Sequence, residues 1–182
     1  MPPFPRFLFS LLSALALLAA PARGQVLIPA AFTTSLSQPT AKVGTELDVI
    51  ITANVQAGWH LYATDFNAEV GPAVFTLTFV KSPAYALVGK PWSVGSKHVH
   101  DDVFNGEVAF FETTGQVRQR IKLLKAGPLT IKAEAEYQSC SEADGRCVPG
   151  STSLTFGPLR AAAKAAVSAP GRPASRAVAT FF

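Results

Sequence analysis

Long apolar runs are almost missing from this 182-residue sequence: the one present, Phe7 to Ala20, stands near the N-terminus. No later segment approaches the about 20 apolar residues that a membrane-spanning helix needs. Cysteine and histidine are also scarce, at two and three residues, and none of them has finger-like spacing. A structural zinc site normally takes four such ligands, so none is expected. Clustered positive charge is lacking too, although the pI is near 9.3. All 12 acidic residues lie within 25–159, whereas Arg6, Arg23, Arg160, Lys164, Arg172 and Arg176 lie outside it, which leaves that stretch at a formal −2. A nucleic-acid platform needs Lys and Arg gathered on one face, and that class is excluded. No Ser–His–Asp arrangement, paired carboxylates, Gly-rich phosphate loop or internal repeat stands out. An amphipathic helical period is absent from the middle of the chain.

The N-terminal run has a use. Arg6 precedes it, and Ala20-Pro21-Ala22 and Ala22-Arg23-Gly24 follow as small-residue cleavage signals. This is the layout of a secretory signal peptide. With no cysteine at the cleavage point, a lipid anchor is not indicated. The expected layout is therefore a signal peptide over 1–24, one domain over 25–159, and an Ala/Arg/Pro-rich tail over 160–182. An exported chain with two cysteines meets an oxidising compartment, where a bond between them is the default.

The domain reads as strands. Glu46 to Val55, Trp59 to Ala63, Ala73 to Val80, Glu107 to Glu112, Val117 to Leu123, Leu129 to Tyr137 and Ser153 to Phe156 are β-rich or alternating. Val117, Gln119, Ile121 and Leu123 alternate with Arg118, Arg120 and Lys122; Leu129, Ile131, Ala133, Ala135 and Tyr137 alternate with Thr130, Lys132, Glu134 and Glu136. Period-two runs between Gly, Pro and Asn turns predict an all-β fold, an immunoglobulin-like antiparallel β-sandwich. Trp59 and Trp92 read more simply as core than as a ligand platform. His98 and His100 read as solvated strand-edge residues rather than metal ligands.

Cys140 and Cys147 sit in YQSCSEADGRCVPG, with Asp144-Gly145 between them as a turn signal. The two sulfurs can therefore meet across a hairpin. Pro149 removes a backbone donor just beyond and is expected to limit the strand there. Spacing alone leaves two readings open. One is a structural staple, which for a loop of about eight residues stabilises by roughly 2.5 kcal/mol. The other is a redox-active pair, local and easily reached. Glu136, Glu142 and Asp144 lie near the thiols and disfavour a thiolate, with Arg146 opposing them.

YQSCSEADGRCVP resembles the active-site hairpin of the N-terminal periplasmic domain of the DsbD thiol:disulfide interchange proteins. KHVHDDVFNGEVAFFE resembles the family's cap-loop segment, and AGWHLYATDF its early aromatic strand. The similarity runs from about Thr34 to Phe156. The resemblance implies an immunoglobulin-like fold without cofactor or metal. It implies transfer of electrons from a membrane thiol transporter to periplasmic thioredoxin-like proteins. Carried over by position, Cys147 forms mixed disulfides with partners and Cys140 resolves them. Phe104 is the cap, Asp102 beside it tunes proton transfer, and Tyr62 and His60 line the site. Without the family, the same Phe104 could simply pack into the core.

Three departures accompany the likeness. The six residues between the cysteines are one more than in the usual family form, Val103 replaces a second acid, and Gly150 replaces a second proline. No counterpart of the family's transmembrane section or C-terminal thioredoxin-like domain is present in the sequence. The electron donor is thus expected to be a separate protein, and the chain a monomer. The competing reading is an immunoglobulin-like binding or assembly module with an inert disulfide.

Overall fold

The structure, a computed structural model, describes residues 27–163 apart from Val70 and Val103. The expected signal peptide and the tail from Lys164 onward lie outside the described residues. Among the described residues, eleven strands follow in order: β1 (Ala30–Leu36), β2 (Thr40–Lys42), β3 (Glu46–Val55), β4 (Trp59–Tyr62), β5 (Thr76–Phe79), β6 (Tyr85–Val94), β7 (Lys97–Asp101), β8 (Gly106–Phe111), β9 (Thr114–Leu123), β10 (Gly127–Ser141) and β11 (Cys147–Ala162). Among the described residues there is no helix, and so none long and apolar enough to cross a membrane.

The strands form two sheets. One has the order β1-β3-β9-β6; the other runs β2-β11-β10-β4-β8-β7, with β5 also paired to β10. All pairings are antiparallel except that of β2 with β11. This is an immunoglobulin-like sandwich. The alternation explains how it closes. Leu47, Val49, Ile51 and Ala53 of β3 are buried, as are Val117, Ile121 and Leu123 of β9. They meet Phe111 of β8, Ile131, Ala133 and Ala135 of β10, and Leu154 and Phe156 of β11 in one core. Each large aliphatic or aromatic side chain buried this way contributes about 1.5–3 kcal/mol. Gln119 interrupts the apolar face of β9, and its Nε2 donates to the Val88 and Arg120 carbonyls.

Several strands differ from the sequence expectation. β1, β2 and β6 were not evident in the pattern, whereas β7 carries the His98 and His100 expected at a strand edge. β6 contains Gly89 and Pro91, and its register with β9 shifts between Val88 and Trp92. β7 is a polar edge strand, KHVHD. β11 does not begin at Ser153 or stop at Phe156, and its last residues, Arg160–Ala162, pair with Thr40–Lys42. The folded unit therefore extends three residues past the boundary placed at 159. Pro149 does not limit the strand, because β11 has β10 on one side and meets β2 only at its far end. At an edge, a missing N–H removes no ladder bond. Trp59 and Trp92 are half-buried rather than core; the guanidinium groups of Arg146 and Arg120 lie over them at 5.8 and 5.5 Å.

β10 positions the site. It pairs with β11 from Gly127↔Ala161 to Cys140↔Cys147. On its other side β5 covers Ala133–Glu136 and β4 covers Ser139–Ser141. The cysteine end of β10 is thus a central strand, held between β4 and β11.

Candidate functional site

The turn residues close the cysteine hairpin locally. Ser141 N–H donates to the Arg146 carbonyl at 2.9 Å and Gly145 N–H to the Ser141 carbonyl at 3.0 Å. Arg146 N–H donates to Asp144 Oδ1 at 3.2 Å, and Gly145 takes a φ of +66°. A hydrogen bond from the Ser141 hydroxyl, then that from Arg146 N–H and the Arg146 charge, hold the Asp144 carboxyl below its ordinary range. Cys140 and Cys147 then stand directly opposite one another, with Cα atoms 4.0 Å apart and their sulfurs bonded. Cross-strand neighbours at this spacing project to the same face of the sheet.

That face is the outer one. Ile131, Ala133 and Ala135 point into the sandwich, and the alternation of β10 turns Cys140 the other way. Cys140 is buried all the same, in a second small cluster with Tyr62 and Val108, against which Phe66, Val99 and Phe110 pack. The two sulfur-bearing residues differ sharply: Cys140 is 3% exposed, whereas Cys147 is exposed.

β4 supplies the aromatic wall. His60 is the Cα partner of Cys140, and Tyr62 lies two residues on, paired with Phe110. The His60 ring packs on Phe110 at 4.7 Å and edge-on to Tyr62 at 5.2 Å, with His60 Nε2 and Tyr62 Oη 3.3 Å apart. Burial pushes the His60 imidazole below its usual value, against the opposing pull of Glu142, Asp101 and Glu112. Burial, helped by the Asp101 charge, pushes the Tyr62 phenol up. A neutral imidazole beside a neutral phenol can accept its proton in a hydrogen bond.

The expected cap residues occupy the turn between β7 and β8. Phe104 is half-buried; its N–H donates to Asp101 Oδ1 at 3.1 Å and its ring packs against Gly71. Asp102 is fully exposed, and its carboxylate lies 3.9 Å from His100 Nε2. The acid whose charge acts on both His60 and Tyr62 is its neighbour, Asp101. The structure thus brings Cys140, Cys147, His60 and Tyr62 together, sets Phe104 on the adjoining loop, and turns Asp102 outward. Two site residues escaped the sequence reading. Phe110 was legible in principle, since Phe110-Phe111 in an alternating strand gives one ring to each face. Gln138, two residues before Cys140, reaches its sulfur: Nε2 to Sγ is 3.6 Å.

Residues 30–157 match the family model described as thiol:disulfide interchange protein DsbD, N-terminal. The chain belongs to this family. Membership in the DsbD N-terminal family and the outward-facing cysteine pair support a thiol–disulfide exchange module. A search of curated proteins gives no match. Among solved structures, the reduced DsbD N-terminal domain of Neisseria meningitidis is 19% identical, with 64% of this chain and 78% of that one covered and a TM-score of 0.42. The complex of the DsbD and PilB N-terminal domains from the same organism gives 17% identity, coverages of 76% and 86%, and a TM-score of 0.41. The N-terminal periplasmic domain of ScsB from Proteus mirabilis gives 11% identity, coverages of 72% and 49%, and a TM-score of 0.45.

Proposed function

We propose that this DsbD N-terminal family member is a periplasmic electron-transfer module. It takes electrons from a membrane thiol reductant and passes them to thioredoxin-like proteins through Cys140 and Cys147. One observation carries the reading: the disulfide lies on the outer face of the sheet, outside the main core, with one sulfur-bearing residue exposed and the other buried. A staple would gain more by joining distant strands, since its effect grows with loop length.

The roles follow from accessibility. Cys147 is the sulfur that a partner attacks, and Cys140 resolves the mixed disulfide from beneath. Phe104 restricts access from the β7–β8 turn. Proton transfer, expected of Asp102, we assign to Asp101, because the Asp102 carboxylate is fully exposed and directed at His100. His60 and Tyr62 wall the pair on the β4 side.

The reduction potential tests this reading. Resistant structural disulfides sit below about −300 mV. The pair is expected above that, within reach of a thioredoxin-like dithiol, and the full chain is expected to exchange with one. A markedly lower potential, with no exchange, would leave the disulfide a staple and the chain a binding module.

A further inference from the structure

When a thiolate attacks Cys147, the electron pair of the broken bond must come to rest on Cys140 Sγ. The ionisable groups around that sulfur are poorly chosen to receive it. β4 contributes His60, held neutral by burial, and Tyr62, whose phenol stays protonated. Asp101 stands at the end of β7, Glu136 on β10, and Glu142 and Asp144 in the hairpin. Of the nearby cations, Lys97 is paired with Glu112 at 2.8 Å. Arg146 is directed at Asp144, 3.9 Å away, and at the Trp59 ring.

One neutral donor does reach the sulfur. Gln138 lies on the same face of β10 as Cys140, opposite Pro149. Its Oε1 accepts from Ala73 N–H at 3.2 Å, and its Nε2 stands 3.6 Å from Cys140 Sγ. The backbone N–H of Ala73 can only donate, so it fixes the carbonyl end of the amide and thereby turns the NH2 end to the sulfur. The same loop carries Gly71, on which the Phe104 ring rests.

We propose that Gln138 stabilises the departing sulfur of Cys140, with Ala73 holding its amide in the donating orientation. This rests on the exchange function proposed above. The partner thiolate bonds to Cys147 Sγ, the Cys140–Cys147 bond breaks, and its electron pair leaves on Cys140, where Gln138 Nε2–H donates to the new charge. A second partner thiolate then attacks the partner sulfur of the mixed disulfide and releases Cys147. The partner dithiol is oxidised by two electrons, the Cys140/Cys147 pair is reduced by two, and the partner's two thiol protons pass to it by way of solvent. The donor matters most in the transition state, because a hydrogen bond to a charged sulfur is stronger than one to a neutral disulfide.

The test uses the full chain and two variants. Gln138→Glu keeps an oxygen for Ala73 N–H but loses the donor to sulfur; Gln138→Leu loses the donor without adding charge. Reduction of the oxidised pair by dithiothreitol at pH 7 is expected to slow about tenfold in both, the size of a lost charge-assisted bond. In reduced proteins that also carry Cys147→Ala, the ultraviolet absorbance of the Cys140 thiolate is expected to rise at higher pH in the Gln138 variants than with Gln138 intact. Slowing in Gln138→Glu alone would make repulsion the cause and overturn the proposal, as would unshifted titration with normal exchange. Failure of the unaltered chain to exchange with a thioredoxin-like dithiol, with the titration still shifted, would sink the proposed function and leave the role of Gln138 standing.

Discussion

The ring of Phe104 fills the space that a side chain at Gly71 would need: a Cβ built on Gly71 comes within 1.8 Å of Phe104 Cδ1. Gly71 also has a φ of +62°, where an L side chain costs about 1–2 kcal/mol. The glycine is therefore required both by its own backbone and by the ring laid on it. If Phe104 shields the cysteine pair, Gly71 is the seat of the shield.

Displacing the ring from either side should open the site. Gly71→Ala is expected to lower stability by about 1–2 kcal/mol, through the left-handed backbone. It should also speed reduction of the pair by small thiols several-fold. Phe104→Ala should raise the same rate without the backbone cost. Stopped-flow reduction by a small thiol, paired with urea midpoints, separates the two effects. Unchanged rates in both variants would mean that Phe104 covers something other than the disulfide.

The cysteines should behave unequally. Cys140→Ser leaves the exposed Cys147 free, and it should accumulate a mixed disulfide with a thioredoxin-like protein lacking its own resolving cysteine. Cys147→Ser leaves only a sulfur that is 3% exposed in the folded chain, and it should trap little or nothing. Non-reducing gels with mass spectrometry of the adduct read the result. Trapping through Cys140 alone would reverse the assigned roles.

His60 should make stability fall on mild acidification. Its folded-state value is lowered from 6.5, chiefly by burial. The unfolded chain thus binds a proton that the folded chain resists. The contribution is fully present above pH 6.5 and is lost as pH drops through the lowered folded value. Urea midpoints taken from pH 8 down to pH 5 should decline, and His60→Phe should flatten that decline. A steeper fall in the variant would show that the imidazole is stabilised in its charged form.

Much of this protein was determined by the sequence alone. The alternation of β3, β9 and β10 required sheets with one buried face, because period two places every second side chain on the same side. Cys140 and Cys147 were able to meet, because Asp144-Gly145 turns the chain within six residues. The aromatic and cap segments were readable as a resemblance. Tertiary structure decided the rest. The edge position of β11 let Pro149 stay within a strand, which no local propensity reveals. Pairing of β4 with the end of β10 placed His60 opposite Cys140, although 80 residues of chain separate them. The turn after β7 chose Asp101 over Asp102 to face the site, a matter of backbone direction rather than residue type. The amide of Gln138 gained its sulfur contact only because the Gly71–Ala73 loop folds back to hold its other end. Residue types and their spacing fix what a strand can bury and where it can turn; which neighbour it meets depends on the pairing of segments far apart in the chain.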